Sequence, residues 1–140
     1  MPKITLQLTP DGSQTLTTDE AGNQAVMYLP ESAGGTQKGI RPMQMLLMGM
    51  AGCTAIDVLI ILKKQRQELR DFRIELDAQR EADKEPSVWE SARMLFHFYG
   101  PVDPQKAARA VEMSILKYCS AAETLRRAGA KLEWDIKIHE

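Results

Sequence analysis

The segment from Met45 to Leu62 constrains the fold more than any other part of this sequence. It is 18 residues long and mostly apolar, but it also contains glycines, Thr54, Cys53 and Asp57. A helix that is apolar on every side needs a membrane, a large core or a second chain around it. Asp57 and the two glycines make a lone membrane span the weaker alternative. We therefore expect a buried helix over about residues 42–66 and no membrane contact.

The rest of the chain alternates between short apolar strands and amphipathic helices. Period-two patterns predict strands, and a charged tip at 80–86 predicts that the two central strands form a long hairpin. Asp103 followed by Pro104 predicts the start of a second long helix, which should end near Cys119. The pattern Ser120 to Glu123 predicts a capping box for a short third helix, with a stop near Gly129. The predicted strands are 3–8, 25–29, 69–80, 87–100 and the tail 130–140.

Length and charge limit the classes of protein that fit. The chain has 140 residues and a formal net charge of -1, so it lacks the basic excess that nucleic-acid binding requires. No repeat, linker or low-complexity stretch divides it, which predicts a single domain over 1–140 of the α+β class. The first 13 residues lack the features of a secretory signal, so we expect a cytoplasmic protein.

The two cysteines are the candidate reactive groups, and they lie 66 positions apart. Cys119 precedes a predicted helix N-terminus, where backbone N–H groups favour a thiolate. Cys53 lies in the middle of the apolar helix, where burial and a charged Asp57 would both disfavour its thiolate. Considered alone, Cys53 is expected to be inert packing and Cys119 the reactive thiol.

The histidines suggest no further chemistry. His97 lies in a predicted strand and His139 in the tail, so neither pairs with a cysteine at the spacing of a structural zinc site. We expect no metal and no cofactor.

Two longer stretches carry a resemblance to a known family. The segments "GTQKGIRPMQMLLMGMAGCTAIDVLIILKK" and "LKYCSAAETLRRAGA" resemble the OsmC/Ohr family, the osmotically inducible and organic hydroperoxide resistance proteins. The resemblance implies an OsmC-like fold, with antiparallel sheets packed on two long helices, and an intertwined homodimer. The apolar helix would then lie at the dimer centre, where Gly49 and Gly52 allow close backbone approach.

The same resemblance implies the chemistry. In active family members the first cysteine reduces an organic hydroperoxide and becomes a sulfenic acid, which the second cysteine converts into a disulfide. Carried over by motif, Cys53 is the peroxidatic thiol and Cys119 the resolving thiol, and a dithiol reductant restores both. This reverses the order of reactivity that the local sequence suggests.

The sequence departs from the family at the groups that support the thiolate. The family uses an arginine from the N-terminal region and a glutamate after the proline, whereas residues 1–40 contain no arginine and Met43 follows Pro42. Arg41, Gln44 and Asp57 are the replacement candidates: a cation, a hydrogen-bonding amide and an orienting carboxylate. The alternative function is an OsmC-like dimer without peroxidase activity that binds a small apolar ligand in the interface pocket.

Overall fold

A computed structural model describes all residues from 1 to 140. The contacts within the chain divide it into two units, Met1–Leu46 and Leu47–Glu140. Each unit is described by itself below. The elements are α+β, as the sequence predicts.

The N-terminal unit is a three-stranded antiparallel sheet. Its strands are β1 (Thr5–Leu8), β2 (Thr15–Thr18) and β3 (Gln24–Met27), in that spatial order. Asp11 and Asp19 shape the two turns by accepting backbone hydrogen bonds from residues two to four positions ahead. The sequence did not predict β2, because its four residues, three of them threonine, lack an apolar alternation.

Helix α1 (Pro42–Lys64) starts in the N-terminal unit and continues into the C-terminal unit. Pro42 occupies the first helical position, where its missing N–H costs nothing. The helix is long and apolar enough to cross a membrane, with a mean hydropathy of 2.2, but this test is also passed by core helices of other proteins. Only a narrow stripe is buried, formed by Leu47, Met50, Thr54, Val58 and Leu62. The other faces of α1 are exposed in the single chain, so the expected burial on every side depends on a second chain and stays a prediction.

The C-terminal unit contains a second three-stranded sheet. Strand β4 (Asp71–Arg80) pairs antiparallel with β5 (Trp89–Tyr99), which confirms the predicted hairpin. Strand β6 (Lys131–His139) lies on the other side of β5 and runs parallel to it. The predicted antiparallel pairing is therefore wrong for β6. The two helices between β5 and β6 carry the chain back to the end of the sheet at which β5 begins, so that β6 runs in the same direction as β5.

The segment between β5 and β6 contains two helices, and the second cysteine lies between them. Helix α2 (Pro104–Met113) is capped by Asp103, whose side chain accepts from the N–H of Gln105 at 2.8 Å, as the sequence predicts. A π-helical turn over Ser114–Tyr118 follows, and α3 (Ser120–Arg127) comes next. The N-cap of α3 is Cys119 and not Ser120, so the predicted capping box is wrong by one position.

Candidate redox site

The fold brings Cys53 and Cys119 together. Cys53 lies in α1, one turn beyond Met50, and Cys119 follows the π-helical turn. The Cys119 Sγ lies 4.0 Å from the carbonyl oxygen of Met50 and close to the Cys53 thiol. Both cysteines are free thiols in this structure. Two residues distant in sequence thus form one dithiol site.

The surroundings of Cys119 keep its thiol protonated. The side chain is buried, with 2% of its surface exposed, and this burial raises the pKa of the Cys119 thiol to about 11. The N–H of Ala122 donates to Sγ at 3.3 Å and opposes the rise, whereas the neighbouring Cys53 thiol adds to it. The helix N-terminus acts as the sequence suggests, but desolvation outweighs it. The local prediction of an activated Cys119 is therefore wrong.

Cys53 is more accessible than its sequence context indicates. It is half-buried, since it lies beside the buried stripe of α1 and not within it. Among the apolar residues near it on the helix, Leu47 and Met50 are buried, but Ile56 is 62% exposed. Cys53 is therefore only partly packed in the single chain, and whether it is inert stays a matter for experiment.

Asp57, one turn beyond Cys53, is held by a serine that the sequence did not single out. The buried Ser114 hydroxyl lies 2.9 Å from Asp57 Oδ2 and 3.4 Å from the carbonyl oxygen of Thr54, and it donates to these oxygens. Ser114 is the first residue of the π-helical turn that leads to Cys119. The Asp57 carboxylate therefore ties α1 to that turn. The hydrogen bond between Ser114 and Asp57 could not be predicted, because a single serine on an apolar stripe gives no sequence signal.

Arg41 and Gln44 both belong to the N-terminal unit. The Arg41 guanidinium lies 4.3 Å from the centroid of the Tyr28 ring, a cation–π contact that holds the charge in place. Gln44 lies in the first turn of α1 and is exposed. Their role in supporting a thiolate remains a prediction.

A second polar cluster lies on the C-terminal sheet. His97 Nδ1 lies 2.9 Å from His139 Nε2, and His97 Nε2 lies 3.1 Å from Glu75 Oε2. Burial, followed by the charge of His97, lowers the pKa of His139. No group of three or more potential metal ligands converges in the structure.

Two cavities lie near the candidate site residues, one at Cys119 and one at Asp57. One, of about 480 Å³, is lined by Cys119 and by charged side chains of α3. The other, of about 460 Å³, has walls of Ile60, Ile61, Met113 and Tyr118, with Asp57 among its polar groups. Cys119 therefore lines the charged cavity, and Asp57 lines the mainly apolar one.

Comparison with known proteins shows the family of this chain. Residues 35–135 match the family model described as "OsmC-like protein". The chain belongs to the OsmC-like family. Protein YhfA of Escherichia coli (strain K12) is 36% identical over 115 residues, which cover 75% of this chain and 85% of the relative.

Solved structures share the fold of this chain. A hypothetical protein from Aquifex aeolicus VF5 superposes with a TM-score of 0.80 at 29% identity, over 100% of this chain and 98% of the other. The organic hydroperoxide resistance protein OhrB of Bacillus subtilis superposes with a TM-score of 0.66 at 19% identity, over 98% of each chain. These neighbours establish the OsmC-like fold of the present chain.

Proposed function

We propose that this OsmC-like protein is a thiol-dependent peroxidase that reduces organic hydroperoxides. The observation that carries the proposal is that the fold brings the Cys53 and Cys119 thiols close together. Two neighbouring free thiols can form a disulfide once either is oxidised. Neighbours of the same fold that are described as organic hydroperoxide resistance proteins support the same substrate class.

The structure favours Cys53 as the thiol that attacks the peroxide. Cys53 is half-buried, whereas Cys119 is almost fully buried and burial raises the pKa of its thiol to about 11. Attack requires a thiolate that the peroxide can reach. Cys119 then serves as the resolving thiol, and Arg41, Gln44 and Asp57 remain the proposed supporting groups.

The proposed reaction balances in two steps. The Cys53 sulfur attacks the outer peroxide oxygen, the O–O bond breaks, and the alcohol leaves after taking a proton. Cys53 is then a sulfenic acid. The Cys119 sulfur attacks the sulfur of that acid, an S–S bond forms, and the hydroxyl leaves as water with the Cys119 proton.

Trapping the sulfenic acid tests the assignment. Cumene hydroperoxide in stoichiometric amount should remove both free thiols of the parent protein, and Cys119→Ser should stop at a sulfenic acid on Cys53 that a dimedone probe captures. Cys53→Ser should consume peroxide at least about 100-fold more slowly, because the remaining thiol carries little thiolate. Equal rates for Cys53→Ser and the parent would contradict the assignment.

The apolar cavity supports the second candidate function. Its volume of about 460 Å³ and its walls of isoleucine, methionine and tyrosine suit a small apolar ligand. In that case the protein binds a ligand and Cys53 does not react with peroxide. Absence of a dimedone adduct after peroxide treatment, together with binding of an apolar fluorescent probe, would favour this function.

A homodimer accompanies either function in our proposal. Ile56, Leu59 and Ile60 of α1 are 62%, 42% and 49% exposed, and a Cβ placed at Gly49 or Gly52 meets nothing within 4 Å. A second copy would cover this apolar, closely approachable surface. A cytoplasmic location and the absence of membrane or nucleic-acid partners belong to the same proposal.

One substitution distinguishes an effect on dimer formation from an effect on the fold of the single chain. Gly52→Leu creates no clash within the chain, so it should leave the circular dichroism spectrum intact but weaken the dimer in analytical ultracentrifugation. Ala108→Leu, on the exposed side of α2, is the matched control and should leave the dimer unchanged. A parent protein that sediments as a folded monomer would refute the dimer.

A further inference from the structure

The cavity beside Cys119 is lined by more cations than anions. Lys117, Arg126 and Arg127 line it together with a single carboxylate, that of Glu123. Ser120 and Thr124 are also part of the wall, and the cavity has a volume of about 480 Å³. A cleft lined by one dominant charge concentrates small ligands of the opposite charge. This cavity therefore suits a small anion.

Glu123 fixes the orientation of the two arginines. Its Oε1 accepts from Arg126 Nε at 3.1 Å and Nη2 at 2.9 Å, and its Oε2 accepts from Arg127 Nε at 2.9 Å. The remaining nitrogen of the Arg126 guanidinium, Nη1, is buried and has no hydrogen-bond partner. A buried donor without an acceptor is costly, so Arg126 keeps an unsatisfied, positively charged donor in the wall of this cavity.

Cys119 lies at this cavity, and an external reductant must either attack its sulfur or expel it as the leaving group. Once a Cys53–Cys119 disulfide forms, attack on the Cys53 sulfur would expel Cys119, whereas attack on the Cys119 sulfur would expel Cys53. The rate of exchange falls when the leaving thiol has a high pKa. Either route expels the high-pKa Cys119 thiol in one of its two steps, so the leaving group does not decide between them. The position of the cavity decides, because Cys119 lines it and Cys53 does not.

We propose that this cavity binds an anionic, carboxylate-bearing thiol as the reductant of the disulfide, and that this thiol attacks the Cys119 sulfur. The inference rests on the proposed function, because it concerns the step that regenerates the dithiol. The first thiolate forms a mixed disulfide with Cys119 as the Cys53–Cys119 bond breaks and Cys53 leaves as a thiolate. A second thiolate, from another molecule or from the same dithiol, attacks the outer sulfur. Its disulfide product departs with two electrons fewer, and Cys119 leaves and takes a proton.

The test starts from disulfide made with diamide, so that it does not depend on reaction with peroxide. Three thiols of similar size are compared at the same thiolate concentration and low salt: 3-mercaptopropionate, 2-mercaptoethanol and cysteamine. The anionic thiol should reduce the disulfide about tenfold faster than the cationic one, and 1 M salt should compress the ratio. Equal rates for the three thiols, or failure of diamide to link the two cysteines, would overturn the proposal.

Charge-removing variants identify the cavity. Lys117→Gln and Arg126→Gln should each lower the ratio between anionic and cationic thiols, and together they should bring it close to one. Arg93→Gln, whose parent side chain pairs with Glu133 on the sheet, is the matched control and should leave the ratio unchanged. Circular dichroism checks that each variant folds. A ratio that persists in the double variant would assign the preference to some other surface.

The mixed disulfide identifies the sulfur that is attacked. After acid quenching, peptide mass spectrometry should find the mercaptopropionate adduct on Cys119, and an adduct on Cys53 would refute the proposal. Failure of peroxide to oxidise the protein, with the thiol preference intact after diamide, would reject the peroxidase and leave this inference standing.

Discussion

The protonation state of Cys119 gives the sharpest quantitative prediction. Burial raises the pKa of its thiol from 9.0 to about 11, so about one molecule in 10,000 carries the thiolate at pH 7, compared with about one in 100 for an unperturbed thiol. Alkylation of Cys119 at pH 7 should therefore be at least about 100-fold slower in the folded protein than in urea. Limited access to the buried sulfur slows it further.

Iodoacetamide labelling of Cys53→Ser isolates this thiol. This variant also removes the neighbouring thiol that contributes to the rise, so burial alone is tested. The rate, followed by mass spectrometry from pH 6 to pH 10.5, should keep rising to the highest pH. A rate that levels off near pH 8, or equal rates in the folded and unfolded protein, would refute the argument that desolvation outweighs the Ala122 N–H.

The same shift predicts a dependence of stability on pH. Because the folded-state pKa of Cys119 is above its unfolded value, the stabilising effect is fully present below about pH 9 and is lost as the pH rises towards about 11. Two pKa units correspond to about 3 kcal/mol of unfolding free energy. Urea denaturation of the parent should show this loss relative to Cys119→Ser, and parallel curves for the two proteins would contradict it.

Three further predictions address other parts of the chain. Ser114→Ala should lower the unfolding free energy by about 1–3 kcal/mol in urea denaturation, because the Asp57 carboxylate loses its buried donor. Arg41→Met should leave the fold intact and slow the reaction of Cys53 with peroxide in stopped-flow measurements, and an unchanged rate would limit Arg41 to its contact with Tyr28. Burial and the nearby His97 lower the pKa of His139, so the parent should lose thermal stability as the pH falls below about 6.5, and His139→Phe should lose less in calorimetry.

Patterns that depend on neighbouring residues in sequence were predicted well. The Asp103 cap, the hairpin of β4 and β5 and the span of α1 all follow from local capping, alternation and apolar length. Strand β2 was missed because four mainly threonine residues have no apolar periodicity. The parallel direction of β6 was also missed, since alternation fixes which face a residue occupies but not which way its strand runs.

The two thiols show why the site was harder to predict than the fold. Local sequence places Cys119 at a helix N-terminus and Cys53 in an apolar helix, and both placements are correct. In our proposal the relative reactivity reverses, because reactivity depends on what covers each sulfur and contacts distant in sequence decide that. The π-helical turn buries Cys119 against the carbonyl of Met50, where desolvation exceeds the effect of one backbone N–H. Helix α1 buries only one stripe and leaves Cys53 half-exposed beside it. The difference between a half-exposed thiol and a protonated, buried one is thus a product of tertiary packing, and it suits the proposed reaction, in which the first thiol meets the oxidant and the second resolves the product.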